Sequence, residues 1–156
     1  MRKTRSPAVL LPAAAMVACA APSVTPAVTP VAEQVLTLKL NTPVSLNGDG
    51  TIVSFVAVRD SRCPTGANCI RAGDVQADLQ VTPAGQAPQP VTVGWGDSRQ
   101  PPAAPSQAAG REFCFVDLSP RPSVGQDVAP ASYRLKLRVL PLPAGSTACD
   151  TDAAQR

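Results

Sequence analysis

Proline limits this chain more than any other residue. Eighteen prolines are spread along 156 residues, and a proline inside a helix removes one hydrogen bond and clashes with the turn before it, so few windows can hold a stable helix. Apolar residues do not recur at helical spacing; they alternate. Over 73–82, Val75, Ala77, Leu79 and Val81 point one way and Asp74, Gln76, Asp78 and Gln80 the other, the pattern of a strand with one face in a core and one in water. The same reading places strands over 35–40, 44–46, 51–59, 91–95, 112–118 and 132–140. The 51–59 segment is apolar on both faces, with Ile52, Val53, Phe55, Val56, Ala57 and Val58, and reads as a central strand. In the last strand Tyr133, Leu135, Leu137 and Val139 face inward and Arg134, Lys136 and Arg138 outward, with Asp74 and Asp78 as the expected acidic neighbours.

Turn chemistry fits these strands. Asn47-Gly48-Asp49-Gly50 suits a hairpin; as a calcium loop it lacks the bidentate Glu and has Ile52 where glycine is needed. The 97–110 stretch is a Pro/Ala/Ser-rich loop, and Ser119-Pro120-Arg121-Pro122 stops the sixth strand because proline cannot donate to the ladder. About seven short strands without helices to cover a parallel sheet give an all-β antiparallel sandwich. The approach to Tyr133, Val128-Ala-Pro130-Ala-Ser, resembles a tyrosine corner of immunoglobulin-like domains, in which the phenol bonds back to upstream backbone; plain core packing is the other reading. The expected fold is therefore immunoglobulin-like.

The N-terminal residues read as an export signal: Arg2, Lys3 and Arg5, then an apolar run over 7–18, then small residues around Cys19. Two prolines and its short length argue against a membrane-spanning helix. Met16-Val-Ala-Cys19 resembles the lipobox of bacterial lipoproteins, with Met16 where leucine is usual. That resemblance implies cleavage before Cys19 and a lipid on its thiol, so that the partner of the mature N-terminus is a membrane. Ordinary cleavage after the Ala18-Cys19-Ala20 pattern is the alternative. Residues 20–32 place a proline at every fourth position and no charge, a semi-rigid tether. The expected organisation is a signal over 1–18, a tether over 19–32, a β-domain over 33–141 and a polar tail over 142–156. Three of the 14 basic residues lie in the signal, leaving 11 against 11 acidic ones. Such a balance lacks the basic face of a nucleic-acid binder.

Both readings of Cys19 leave four cysteines. In an exported chain an even count suggests two disulfides; a four-cysteine zinc site is disfavoured because no Cys-x-x-Cys occurs, and no metal or cofactor is expected. Cys63 and Cys69 flank Pro64, Gly66 and Asn68, which let the chain double back, so they form the short loop. Cys114 then pairs with Cys149, or both remain free thiols. In the 60–74 stretch Asp60 is expected to accept backbone N–H bonds that hold the cysteine loop, while Arg62 and Arg71 bracket it as a possible binding loop.

Asp60-Ser-Arg-Cys-Pro64, Cys69, Ala72-Gly73, Leu118-Ser-Pro120-Arg-Pro122 and Tyr133 resemble a family of small bacterial exported proteins and lipoproteins with no assigned activity. The likeness spans roughly 51–139. It implies an all-β domain and no activity; Arg71 stands where such proteins often carry Trp, and Cys114 and Cys149 are not part of the shared pattern. With no His in the chain, the usual acyl-transfer and acid–base schemes lack their base, so no enzyme is expected. Two functions remain. One is a lipid-anchored, non-catalytic binding or structural module of the cell envelope, with an envelope protein as its possible partner. The other is a protease inhibitor presenting Arg62 or Arg71 on the disulfide-closed loop.

Overall fold

A computed structural model of the chain describes residues 32–96, 106–143 and Cys149. The expected signal, Cys19, the tether up to residue 31, most of the 97–110 loop and the rest of the tail lie outside the described residues. Eight strands follow one another: β1 (Gln34–Lys39), β2 (Pro43–Ser45), β3 (Ile52–Asp60), β4 (Asp74–Thr82), β5 (Gln89–Gly96), β6 (Gln107–Ala108), β7 (Arg111–Ser119) and β8 (Arg134–Pro141), with one 3-10 turn at Pro130–Ser132. Seven of them coincide with the alternating segments. β6 is new, and at two residues it is too short to carry a pattern.

The strands form two four-stranded antiparallel sheets, one in the order β1-β8-β7-β6 and the other β2-β3-β4-β5. Every strand from β2 to β8 pairs with a sequence neighbour, and β8 also closes back on β1, whose one ladder this is. This is an up-and-down meander, whereas immunoglobulin domains connect their sheets through Greek keys, so the strand order departs from the immunoglobulin-like expectation. The chain changes sheet twice, between β1 and β2 at Asn41 (φ 57°) and between β5 and β6. The first crossing is tied to β3 by the Asn41 N–H donating to the Phe55 carbonyl at 2.7 Å.

One core lies between the sheets. Leu38, Phe113, Leu118, Leu135, Leu137 and Val139 from the first sheet meet Val53, Phe55, Val75, Leu79, Val81 and Val91 from the second. The clean alternation of β4 and β8 places these residues as expected. In β3 it does not hold. A bulge between Phe55 and Ala57 adds one residue, so alternation restarts in the opposite phase. Val53 and Phe55 are inward before it, Asp60 turns inward after it, and Ile52 and Val56 are left about 40% exposed. The expectation of a strand buried on both faces is corrected accordingly. β7 carries a matching bulge between Phe115 and Asp117.

The outward basic residues of β8 do not meet Asp74 and Asp78, which belong to the other sheet. Lys136 stands opposite Thr37 of β1 and Asp117 of β7, and Arg138 lies 3.9 Å from Glu33. Asp78 instead pairs with Arg59 at 3.1 Å and accepts from Thr92 at 2.9 Å.

The strand directions give the body two ends. At one, β1 begins beside the 46–51 hairpin, where the Asn47 N–H donates to Gln34 Oε1 at 3.1 Å. At the other, β3 and β7 finish and the 61–73 and 120–133 loops cover them.

Candidate functional site: the disulfide loop and its buried charges

The bulge in β3 builds this site. Because it reverses the phase, the last residue of β3 sends a carboxylate into the end of the core, where the Asp60 side chain is only 3% exposed. Burying a charge there is costly unless it is paired. Arg62, two residues on, supplies the pairing: its backbone N–H and Nε donate to Asp60 Oδ1 at 3.2 and 2.8 Å, and Nη2 donates to Oδ2 at 2.6 Å. The rest of the guanidinium reaches the end of β7, with Nη1 donating to the Leu118 carbonyl at 2.7 Å and Nη2 to the Pro120 carbonyl at 3.2 Å. Tyr133 stands just ahead of β8 in the opposite sheet, and its hydroxyl donates to Asp60 Oδ2 at 3.2 Å. The phenol therefore bonds a carboxylate on another element, not the upstream backbone that a tyrosine corner would use.

Burial alone would raise the Asp60 carboxyl, but the bonds and charge of Arg62 and the Tyr133 hydroxyl outweigh it and hold it below its ordinary value. The bonds it donates to Asp60 hold Arg62 still higher than usual against the cost of burial. Burial, then the Asp60 charge, keeps the Tyr133 phenol protonated above its ordinary range. A carboxyl depressed in the fold and titrating near 3.9 when unfolded leaves the unfolded chain holding the extra proton on acidification. The stability from this cluster is thus complete above about pH 4 and is lost as pH falls through the lower folded value. Urea midpoints from neutral to strongly acid pH should show that decline, flattened in Asp60→Asn; an unchanged acid limb in that variant would contradict the assignment.

The loop above the cluster is held at several points. Cys63 and Cys69 are bonded, with Cα atoms 5.9 Å apart. The Cys63 N–H donates to the Ala72 carbonyl at 2.8 Å and the Ser61 N–H to the Asp74 carbonyl at 2.9 Å. The Ser61 hydroxyl bonds the Asp74 carboxylate, and among the described residues no arginine pairs with it. Gly66 turns the chain at φ 89°, whereas Asn68 does not adopt positive φ. Gly73 sits at φ 78°, and a Cβ there would collide with the Ser61 carbonyl. Gly73→Ala should therefore cost roughly 1–3 kcal/mol in thermal or urea unfolding; no measurable loss would show that the loop base yields.

A second loop braces the first: the Thr65 N–H donates to the Pro122 carbonyl at 2.8 Å and the Val124 N–H to the Thr65 carbonyl at 3.1 Å. Between Cys69 and Ala72 the chain turns outward. Ile70 is fully exposed, Arg71 is exposed beside it, and Val124 projects near Gly66. Of the two arginines read as bracketing the loop, only Arg71 is presented. Arg62 is buried because Asp60 and two carbonyls hold it, and it cannot enter another protein's pocket without dismantling the end of the core.

No family model, curated protein or solved structure matches the chain. The site rests on its own geometry. Among the described residues no group of three or more His, Cys, Asp or Glu side chains gathers as a metal site would require. Asp60, Asp74 and Asp78 each have different partners and do not converge.

A second buried arginine escaped the sequence reading. Arg111 opens β7 in the same inward phase as Phe113 and is 1% exposed. Its Nη2 lies 3.0 Å from Asp49 Oδ2 and donates to the Asn47 carbonyl at 3.3 Å, tying the hairpin to the other sheet. Asp49 is thus a structural anion: against slight burial, the Thr51 bonds and then Arg111 lower its carboxyl. The signal was available in the phase shared with Phe113, but an arginine at a strand start is usually taken as solvated.

Proposed function

We propose that this chain is a non-catalytic binding module of the bacterial cell envelope, anchored through lipid on Cys19, with the 61–73 loop as its binding surface. One observation carries the reading: a fully exposed Ile70 and an exposed Arg71 stand on a braced loop at the end of the body opposite the start of β1, where the tether joins. An anchored tether at that end would turn the loop outward. Fully exposed large apolar residues on a pre-ordered loop lose little entropy when a partner covers them. Chemistry at the base of the loop is disfavoured, since the Asp60 carboxylate is engaged by Arg62 and Tyr133 and no histidine is present. The resemblance to exported bacterial proteins and the two-sheet sandwich architecture support the same reading, although the meander order limits the likeness to immunoglobulin domains.

A photo-crosslinking residue at position 70 of the full chain in its native envelope should give a discrete adduct that is absent when the residue is placed at Thr37, on the outer face of β1. Equal adducts at both positions, or none at 70, would overturn the binding surface. Intact mass tests the anchor: a diacyl or triacyl addition on Cys19 is expected, and an unmodified chain beginning at Ala21 would refute it.

The exposure of Arg71 favours a second reading, a protease inhibitor that inserts this residue into an acidic specificity pocket. Titrating trypsin with the chain tests it, and undiminished activity at equimolar chain would remove it.

A further inference from the structure

The outer faces of the two sheets differ in kind. On the β1-β8-β7 face, Lys39, Arg134, Lys136 and Arg138 alternate with Glu112 and Asp117, as a solvated sheet requires. The chain's described ends, β1 and β8, also belong to that sheet, as does Cys114, which is bonded to Cys149. The outer face of the other sheet carries fewer charges. It presents Ile52, Ser54, Val56, Gln80, Thr82 and Pro90. Its three charged residues are engaged already, Arg59 with Asp78 and Asp74 with Ser61. Across it runs a groove of about 630 Å³ lined by Val56, Asp78, Gln80, Pro88, Pro90 and Thr92.

We infer that this sparsely charged face is where a second copy of the chain docks, sheet against sheet, about a two-fold axis. A two-fold pairing sets each face against itself, so a face with an excess of one sign of charge repels more than one whose few charges are already engaged. That condition disfavours the β8 face, with four basic residues against two acidic ones, and favours this one. Size permits it as well: three strands of eight or nine residues plus the short β2 cover a footprint of about 480 Å² per copy, so pairing removes roughly 1,000 Å² or more from water, the lower range of specific interfaces. The groove beside Val56 provides the relief into which side chains of a facing sheet can interdigitate. Neither the tether nor the tail starts from this sheet, and the disulfide loop stays free at the end of each copy.

Sedimentation of the full chain in mild detergent over a wide concentration range tests the pairing. A reversible dimer is expected. Val56→Arg and, as a second variant on the exposed face, Gln80→Arg should each weaken it about tenfold or more, with far-UV circular dichroism and the melting midpoint essentially retained. Thr37→Arg on the opposite outer face should leave it intact. A monomer at every concentration overturns the inference and gives the face to a partner of another kind. A dimer that survives both Val56→Arg and Gln80→Arg, or one that Thr37→Arg alone dissolves, overturns it too.

Discussion

Arg62→Leu is expected to remove about 3–5 kcal/mol of stability, the range for breaking one side of a buried ion pair. The leucine fills much of the space but leaves the Asp60 carboxylate in the core with only the Tyr133 hydroxyl and a backbone N–H, and it strands the Leu118 and Pro120 carbonyls. For a domain whose total stability is of the order of 5–15 kcal/mol, that is a large share, equivalent to more than about 10 °C in melting midpoint. Denaturant unfolding of a mutant cycle isolates the cause. Asp60→Asn/Arg62→Leu should recover part of the loss, since no unpaired charge then remains buried. A loss under about 1 kcal/mol in Arg62→Leu would mean that water reaches Asp60 and that the pair behaves as a surface one.

Cys149→Ser is expected to cost about twice as much as Cys69→Ser. The two bridges span sequence separations of 35 and 6 residues, and the chain-entropy argument assigns the longer loop about 4 kcal/mol and the shorter roughly 2. Cys114 is 1% exposed and stands opposite Arg138 on the outer side of its sheet, so the longer bridge also covers surface that would otherwise face water. Loss of the shorter bridge should release the Ile70–Arg71 turn without melting its base, because Arg62 continues to hold Asp60 and β7. Comparing urea midpoints of the two variants checks this order. Equal losses, or a larger one for Cys69→Ser, would locate the stabilisation in the small loop instead.

Strand positions were legible because alternation survives wherever a strand pairs regularly: β4 and β8 bury the residues their sequences point inward. The bulges were not legible. One added residue reverses the faces of everything after it and leaves no mark in composition, which is how Asp60 came to be read as a loop residue holding N–H groups and proved to be a buried anion as well. The disulfides followed from cysteine parity and spacing, and the structure contains both. Arg62 was misplaced for a different reason. Its carbonyl partners lie 56 and 58 residues away, and an arginine with distant acceptors looks in sequence like any surface cation. Ile70 shows the converse, an apolar residue that defaults to the core on composition and here stands fully in water.

The antiparallel ladder between β1 and β8 has a mechanical meaning. β1 begins at the end of the body opposite the disulfide loop and runs towards it, paired with β8 from Gln34 to Lys39. A pull on the chain ahead of Glu33, balanced by a load at Ile70, runs along the strand axis, while the ladder's hydrogen bonds lie across it. The six residue pairs are then strained together in shear rather than peeled off one after another. Force applied ahead of Glu33 is thereby spread over the whole length of the first strand before any one rung can open.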